Sequence, residues 1–107
     1  GQAFLDGGRP LLTPETVKEM TRLQMEDGNI RRGLGFALWS PDPEASGNPF
    51  HPSAFGHTGF TGTSLWMDPS RELVVAMLTN RVYYGRDAGE ILKFRVALQR
   101  EIVKEVA

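Results

Sequence analysis

The sequence predicts an α+β fold: an antiparallel sheet, a meander of about three to four strands, with an N-terminal helix and a long C-terminal helix packed on it. Three observations predict it. A helix start stands at Thr13-Pro14-Glu15-Thr16-Val17. Three strand-like runs, at 54–58, 63–67 and 73–79, are joined by connections too short for a crossover. Ile91, Phe94, Leu98, Ile102 and Val106 recur at helical spacing near the end.

The elements follow in order. Gly7-Gly8-Arg9-Pro10 reads as loop. Thr13 can cap the first helix, Pro14 suits its first position, and Glu15 favours the positive end of the dipole. Leu12 and Val17 are spaced for a hydrophobic staple. Val17, Met20 and Leu23 form a narrow apolar stripe, and Asp27-Gly28-Asn29 is expected to stop the helix, with Gly28 left-handed. In Arg32–Trp39, Leu34, Phe36 and Leu38 alternate onto one face against Gly33, Gly35 and Ala37, which predicts a strand with one bare side. A bare side implies close approach by another backbone or helix. Residues 40–53 carry four prolines and read as a long surface loop.

Ala54–Thr58 is the next strand, and Gly59–Gly62 a glycine-rich turn. Thr63–Met67 follows, then a turn of type I composition at Asp68-Pro69-Ser70-Arg71. Leu73–Thr79 is apolar on both faces, which predicts a covered, central strand. Asp87-Ala88-Gly89-Glu90 resembles a capping box opening the last helix. Lys93, Arg95, Arg100, Lys104 and Glu105 fall mainly off its apolar stripe.

The chain has 107 residues, which predicts a single unit over 1–107. Its apolar fraction of 40% and charged fraction of 23% are those of ordinary globular proteins. A net charge of −1 with scattered basic residues argues against a nucleic-acid or anionic-membrane partner. No cysteine is present, which excludes disulfides and a thiolate nucleophile. No apolar run approaches the ~20 residues of a membrane helix. The start, Gly1-Gln2-Ala3, has neither Met nor signal-peptide character, so the chain reads as beginning mid-protein or at a processing boundary.

The sharpest local feature is His57-Thr58-Gly59-Phe60-Thr61-Gly62. At a strand end, His57 and Thr58 point to opposite faces, and Gly59 removes a side chain where a ligand can approach the backbone. A strand edge there can hold a carbonyl or carboxylate. The same residues also suit a plain glycine-rich hairpin with His57 and Thr58 facing solvent.

With Phe55-Gly56-His57-Thr58-Gly59, Thr63–Pro69 and Leu73–Arg81 in this order, preceded by Gly33-Leu34-Gly35-Phe36, the chain resembles the C-terminal part of serine β-lactamase-like hydrolases. That group spans class C-type β-lactamases, penicillin-binding proteins, D-amino-acid peptidases and esterases. The resemblance covers roughly residues 8 to 106. His57-Thr58-Gly59 corresponds to the family's Lys-Thr-Gly signature, of which His-Thr-Gly is a variant. It implies the C-terminal portion of the β-lactamase/transpeptidase-like fold and acyl transfer on amide or ester bonds. His57, Thr58 and Gly59 would bind substrate, and the Phe60 backbone N–H would serve the oxyanion hole, a donor worth about 2.7–4 kcal/mol. It calls for no cofactor and no metal. Substrates would be β-lactams, esters or peptidoglycan-type peptides. A His in place of Lys lacks a fixed charge, which points towards esters or peptides rather than penicillins. The resemblance also suggests a bacterial protein and leaves the compartment open.

The family's nucleophile is absent. Glu15, Glu90 and Glu101 stand three positions before Lys18, Lys93 and Lys104, so no Ser-x-x-Lys exists. Tyr-x-Asn is absent too, since Gly85 and Arg86 follow Tyr83 and Tyr84 two positions on. The chain reads as truncated rather than degenerate, is expected to be inactive alone, and is expected to self-associate through an uncovered sheet edge. Ser64 lacks a nucleophile elbow, His51 and His57 lack further metal ligands nearby, and Trp39 and Trp66 read as sheet-covering residues. Asn80-Arg81 reads as a structural cap or ion pair. The competing function is a non-catalytic module that binds a peptide or partner along the His57 strand.

Overall fold

The computed structural model describes residues 1–80 and 89–106. Two short helices, α1 (Gln2–Leu5) and α2 (Pro14–Thr21), precede six strands, β1 (Met25–Asp27), β2 (Ile30–Arg32), β3 (Ala37–Leu38), β4 (Phe55–Thr58), β5 (Ser64–Asp68) and β6 (Leu73–Met77). The helix α3 (Gly89–Val106) closes the described chain. The strands form one antiparallel sheet in sequence order, β1 to β6. The α+β class and both helices stand as predicted, and the meander has six strands rather than three to four. No helix among the described residues is long and apolar enough to cross a membrane.

The two extra strands come from two misread segments. Helix α2 is capped as expected, with Thr13 Oγ1 accepting from the Thr16 N–H at 3.2 Å. It stops at Thr21, six residues before the predicted stop at Asp27-Gly28-Asn29. Its last carbonyls find other donors: Leu34 N–H reaches Met20 O at 2.8 Å, and Gln24 Nε2 reaches Glu19 O at 3.1 Å. Arg22 donates to the Glu19 carboxylate at 2.7 Å and, with Gln24, holds that carboxyl below its usual range. The chain is then free to enter β1. Asp27 pairs with Ile30, so Gly28-Asn29 is a two-residue hairpin turn, with Gly28 at φ 60°. The predicted strand over Arg32–Trp39 is likewise split. It bends at Gly33–Phe36 and resumes as β3, because Gly33 abuts the Met20 carbonyl and Gly35 sits at φ 77°. The close approach expected of the bare side occurs at Gly33 and not at Gly35.

Strand register sorts the residues between two faces. Trp66 and Val75 face α3 and form a core with Phe50 and Ala54, against which Ala37, Leu73, Ile102 and Val103 pack. Phe55 and Met67 pair on the opposite face. There Phe4 and Phe36 meet Phe55 edge-on, with the Phe4–Phe36 and Phe36–Phe55 centroids each 5.1 Å apart. Trp39 Nε1 donates to Asn48 O and Trp66 Nε1 to Ser46 Oγ, both at 3.2 Å, which ties the 40–53 loop to the sheet. Both tryptophans thus cover the sheet, as the sequence suggests.

β6 ends the sheet order among the described residues, so the expectation of a central, doubly covered strand is not met. Just past its end, Leu78 is 82% exposed. The apolar stripe expected on α3 is also turned outward in part, with Phe94 49% and Val106 50% exposed. Arg95, Val96 and Gln99 are buried instead. Asp87 and Ala88, the expected cap, lie outside the described residues, as do Arg81, Tyr83 and Tyr84.

Asp68 anchors the β5–β6 connection. It is 1% exposed, and Oδ2 accepts from Arg71 Nη1 at 2.7 Å and His51 N–H at 3.1 Å, while Oδ1 accepts from Arg71 N–H at 3.3 Å. Hydrogen bonds to a charged group contribute about 1.5–3 kcal/mol each. Asp68→Ala, which also frees the loop at His51, is expected to lower stability by about 2–3 kcal/mol, and Asp68→Asn by less. Urea unfolding reads this, and equal loss in both variants would refute the charge-assisted account.

Candidate active site

His57 and Thr58 end β4, and the ladder fixes what surrounds them. On one edge β5 pairs with all four β4 residues, His57 opposite Leu65 and Thr58 opposite Ser64. On the other edge β3 reaches only Phe55 and Gly56. The edge beside His57 and Thr58 therefore carries no strand among the described residues. Backbone groups alternate edges in an antiparallel ladder. Gly59 N–H points to β5, donating to Thr63 O at 2.7 Å, so the Thr58 amide, one residue back on the strand, points the other way, to the open edge.

His57 is exposed on the Phe55–Met67 face, and its ring is held at both nitrogens. Nδ1 lies 2.6 Å from Thr58 O, a contact that requires an Nδ1–H donor. Nε2 lies 3.3 Å from Arg32 Nη1. A guanidinium only donates, so Nε2 presents its lone pair. The ring thus lies between the Thr58 carbonyl and the Arg32 guanidinium.

The turn that follows is fixed from several sides. Gly62 N–H donates to Gly59 O at 3.1 Å, closing a tight turn. Thr79 Oγ1 donates to Gly62 O at 2.6 Å. Arg95 Nη2 donates from α3 to Gly59 O at 3.1 Å and to Thr63 O at 2.9 Å. A side chain at Gly59 would strike the Thr63 hydroxyl, so the turn closes this tightly only around glycine. The Phe60 ring is 62% exposed.

Ser64 is 5% exposed on the α3 side, opposite His57, which suits the polar sheet residue the sequence suggests. His51 is occupied in the loop, its Nδ1 accepting from Ser53 N–H at 3.1 Å. A cavity of about 450 Å³ lies between α3 and the 40–53 loop, lined by Pro43, Glu44, Leu92, Lys93, Val96, Ala97 and Arg100. It contains no residue of the His57–Thr63 segment.

A family model described as Beta-lactamase matches residues 2–99. The chain belongs to the beta-lactamase family. It is 35% identical over 89 residues to a putative D-alanyl-D-alanine carboxypeptidase of Escherichia coli (strain K12), covering 75% of this chain and 19% of the relative. The same figures hold for the protein of that name from Salmonella newport (strain SL254). A beta-lactamase from Mycobacterium bovis superposes with a TM-score of 0.72 at 24% identity, over 97% of this chain and 40% of its own. The beta-lactamase fold is therefore shared, and the chain spans 19% of the length of these curated relatives. The family is one of serine hydrolases.

Two residues beside the signature escaped the sequence reading. Arg32 looked like a strand start, and only the β2–β3 bend carries it to His57. Arg95 looked like part of a solvated helix face and is 6% exposed. Its one sequence signal is the break it makes in an apolar helix beside a glycine-rich turn that needs donors.

Proposed function

We propose that residues 1–107 are the C-terminal unit of a serine hydrolase catalytic domain that acts by acyl transfer on amide or ester bonds. The observation that carries this reading is His57-Thr58-Gly59 at the end of β4, beside an edge with no strand partner among the described residues and a turn tightly pinned after it. In this reading a substrate lies along that edge. His57 and Thr58 orient its polar end, Gly59 lets the backbone come close, and the Phe60 N–H receives the oxyanion as a serine attacks the carbonyl. The serine and its lysine would come from a segment outside these 107 residues, since no Ser-x-x-Lys is present, and the chain alone would be inactive. The relatives' name makes D-alanyl-D-alanine peptides the first substrates to try, beside esters and β-lactams.

The test is labelling of the full-length gene product with a fluorophosphonate and a fluorescent penicillin, together with ester and peptide turnover. Labelling of a Ser-x-x-Lys serine supports the reading. No label and no turnover would leave the chain a non-catalytic binding module.

A histidine in place of the lysine supports a site that makes less demand for a substrate carboxylate, although Arg32 Nη1 stands 3.3 Å from the His57 ring. In the complete enzyme His57→Lys is expected to raise penicillin turnover relative to ester turnover by about tenfold, the scale of one ionic contact of about 1.4 kcal/mol. Unchanged selectivity would sink that idea. The β6 edge, unpaired among the described residues, and Leu78, 82% exposed, support self-association of the 107-residue chain, and a clean monomer by light scattering at high concentration would count against it.

A further inference from the structure

We propose that Arg95 is a positioning residue for the Phe60 N–H, acting through the peptide plane that joins Gly59 to Phe60. This rests on the oxyanion reading of the turn and goes beyond it to a residue on α3. The argument is geometric. The Gly59 carbonyl and the Phe60 N–H belong to one planar, trans peptide unit and point in opposite directions. Arg95 Nη2 holds the Gly59 carbonyl at 3.1 Å beside the Gly62 N–H of the turn itself, so it helps to set where the Phe60 N–H points: away from α3. The same nitrogen holds Thr63 O at 2.9 Å, which pins the turn at its other end.

Three further facts support a site-directed role. Arg95 is 6% exposed, and a guanidinium is costly to bury unless its donors are used. The turn carbonyls are separated from it by 36 and 32 residues of sequence, so the contact is tertiary and not a local helix cap. A cation on a carbonyl oxygen also polarises its peptide unit, which makes the N–H of that unit a stronger donor. By contrast, Gln99 one turn on is 0% exposed and its amide has no hydrogen-bond partner among the described residues.

The test uses the full-length enzyme, an ester substrate, and the variants Arg95→Met and Arg95→Lys, with amide hydrogen exchange measured on each. Arg95→Met is expected to lower kcat about 10–100-fold with KM within about threefold, because β5 still holds His57 and Thr58. Arg95→Lys keeps a cation on a shorter stem and is expected to lose only about 3–10-fold. In Arg95→Met, exchange over 58–63 is expected to quicken at least tenfold while 64–77 stays unchanged. A kcat within twofold of the parent in Arg95→Met, or a lysine variant no better than the methionine one, would overturn the proposal. If Arg95→Met does not fold, Arg95→Lys decides, and a parental kcat there overturns it. A parent enzyme silent on every acyl substrate defeats the hydrolase reading instead, and the exchange data then judge Arg95: unaltered exchange over 58–63 rejects it.

Discussion

Trp66→Ala is expected to lower the stability of the fold by about 3–5 kcal/mol, the range for emptying a buried aromatic site. The indole is 2% exposed and stacks on Phe50 with centroids 6.1 Å apart. It packs with Ala54 and Val75 in the core that Ile102 and Val103 of α3 cover. Its Nε1 also donates to Ser46 Oγ at 3.2 Å, so removal frees the 40–53 loop as well as the helix. These neighbours belong to a strand ladder, a helix and a loop, and the ladder cannot collapse into the void. Urea unfolding followed by far-ultraviolet circular dichroism gives the number. A loss under about 1 kcal/mol would mean that the site refills and that the core lies elsewhere. Trp66→Phe keeps the stacking and is expected to lose less than half as much.

The second large effect is on turnover. Gly59→Ala puts a methyl group against the Thr63 hydroxyl, on the residue that leads into β5. The turn must open, and with it the contacts of Gly59 N–H to Thr63 O and of Arg95 to Gly59 O. If the Phe60 N–H is the oxyanion donor, its displacement costs about 10²–10³-fold in kcat, or about 2.7–4 kcal/mol in the transition state. Ester turnover by the full-length protein measures this, with the melting temperature as the control for folding. A kcat within threefold of the parent would remove the turn from the chemistry.

Features written in short stretches of sequence were legible. Thr13 and Pro14 announce α2, Asp68-Pro69 announces the β5–β6 turn, and His57-Thr58-Gly59 announces the strand end, because each depends on neighbours in the chain. What escaped depends on groups far away. Helix α2 stops at Thr21 because Leu34 takes the Met20 carbonyl, and no local pattern encodes that donor. Asp27-Gly28-Asn29 has the composition of a helix stop and of a hairpin turn alike, and the earlier stop selects the hairpin. Helical periodicity counts apolar residues, so it assigned Arg95 to solvent. The two turn carbonyls to which it donates sit more than thirty residues away. The orientation of His57 was legible from the alternation of strand faces, whereas its Arg32 partner was not, since the β2–β3 bend brings it there.

The strand order of the sheet bears on how the molecule assembles. Each strand pairs with its neighbour in sequence, so the sheet can grow hairpin by hairpin with small loop-closure entropy, apart from the 40–53 loop between β3 and β4. Helix α3 must instead return across β4 and β5 to meet Trp66, Val75 and the turn carbonyls. Docking of α3 is therefore the expected late event in folding. The pinned turn after Gly59 would then be among the last features of the native state to form and, on unfolding, among the first to loosen.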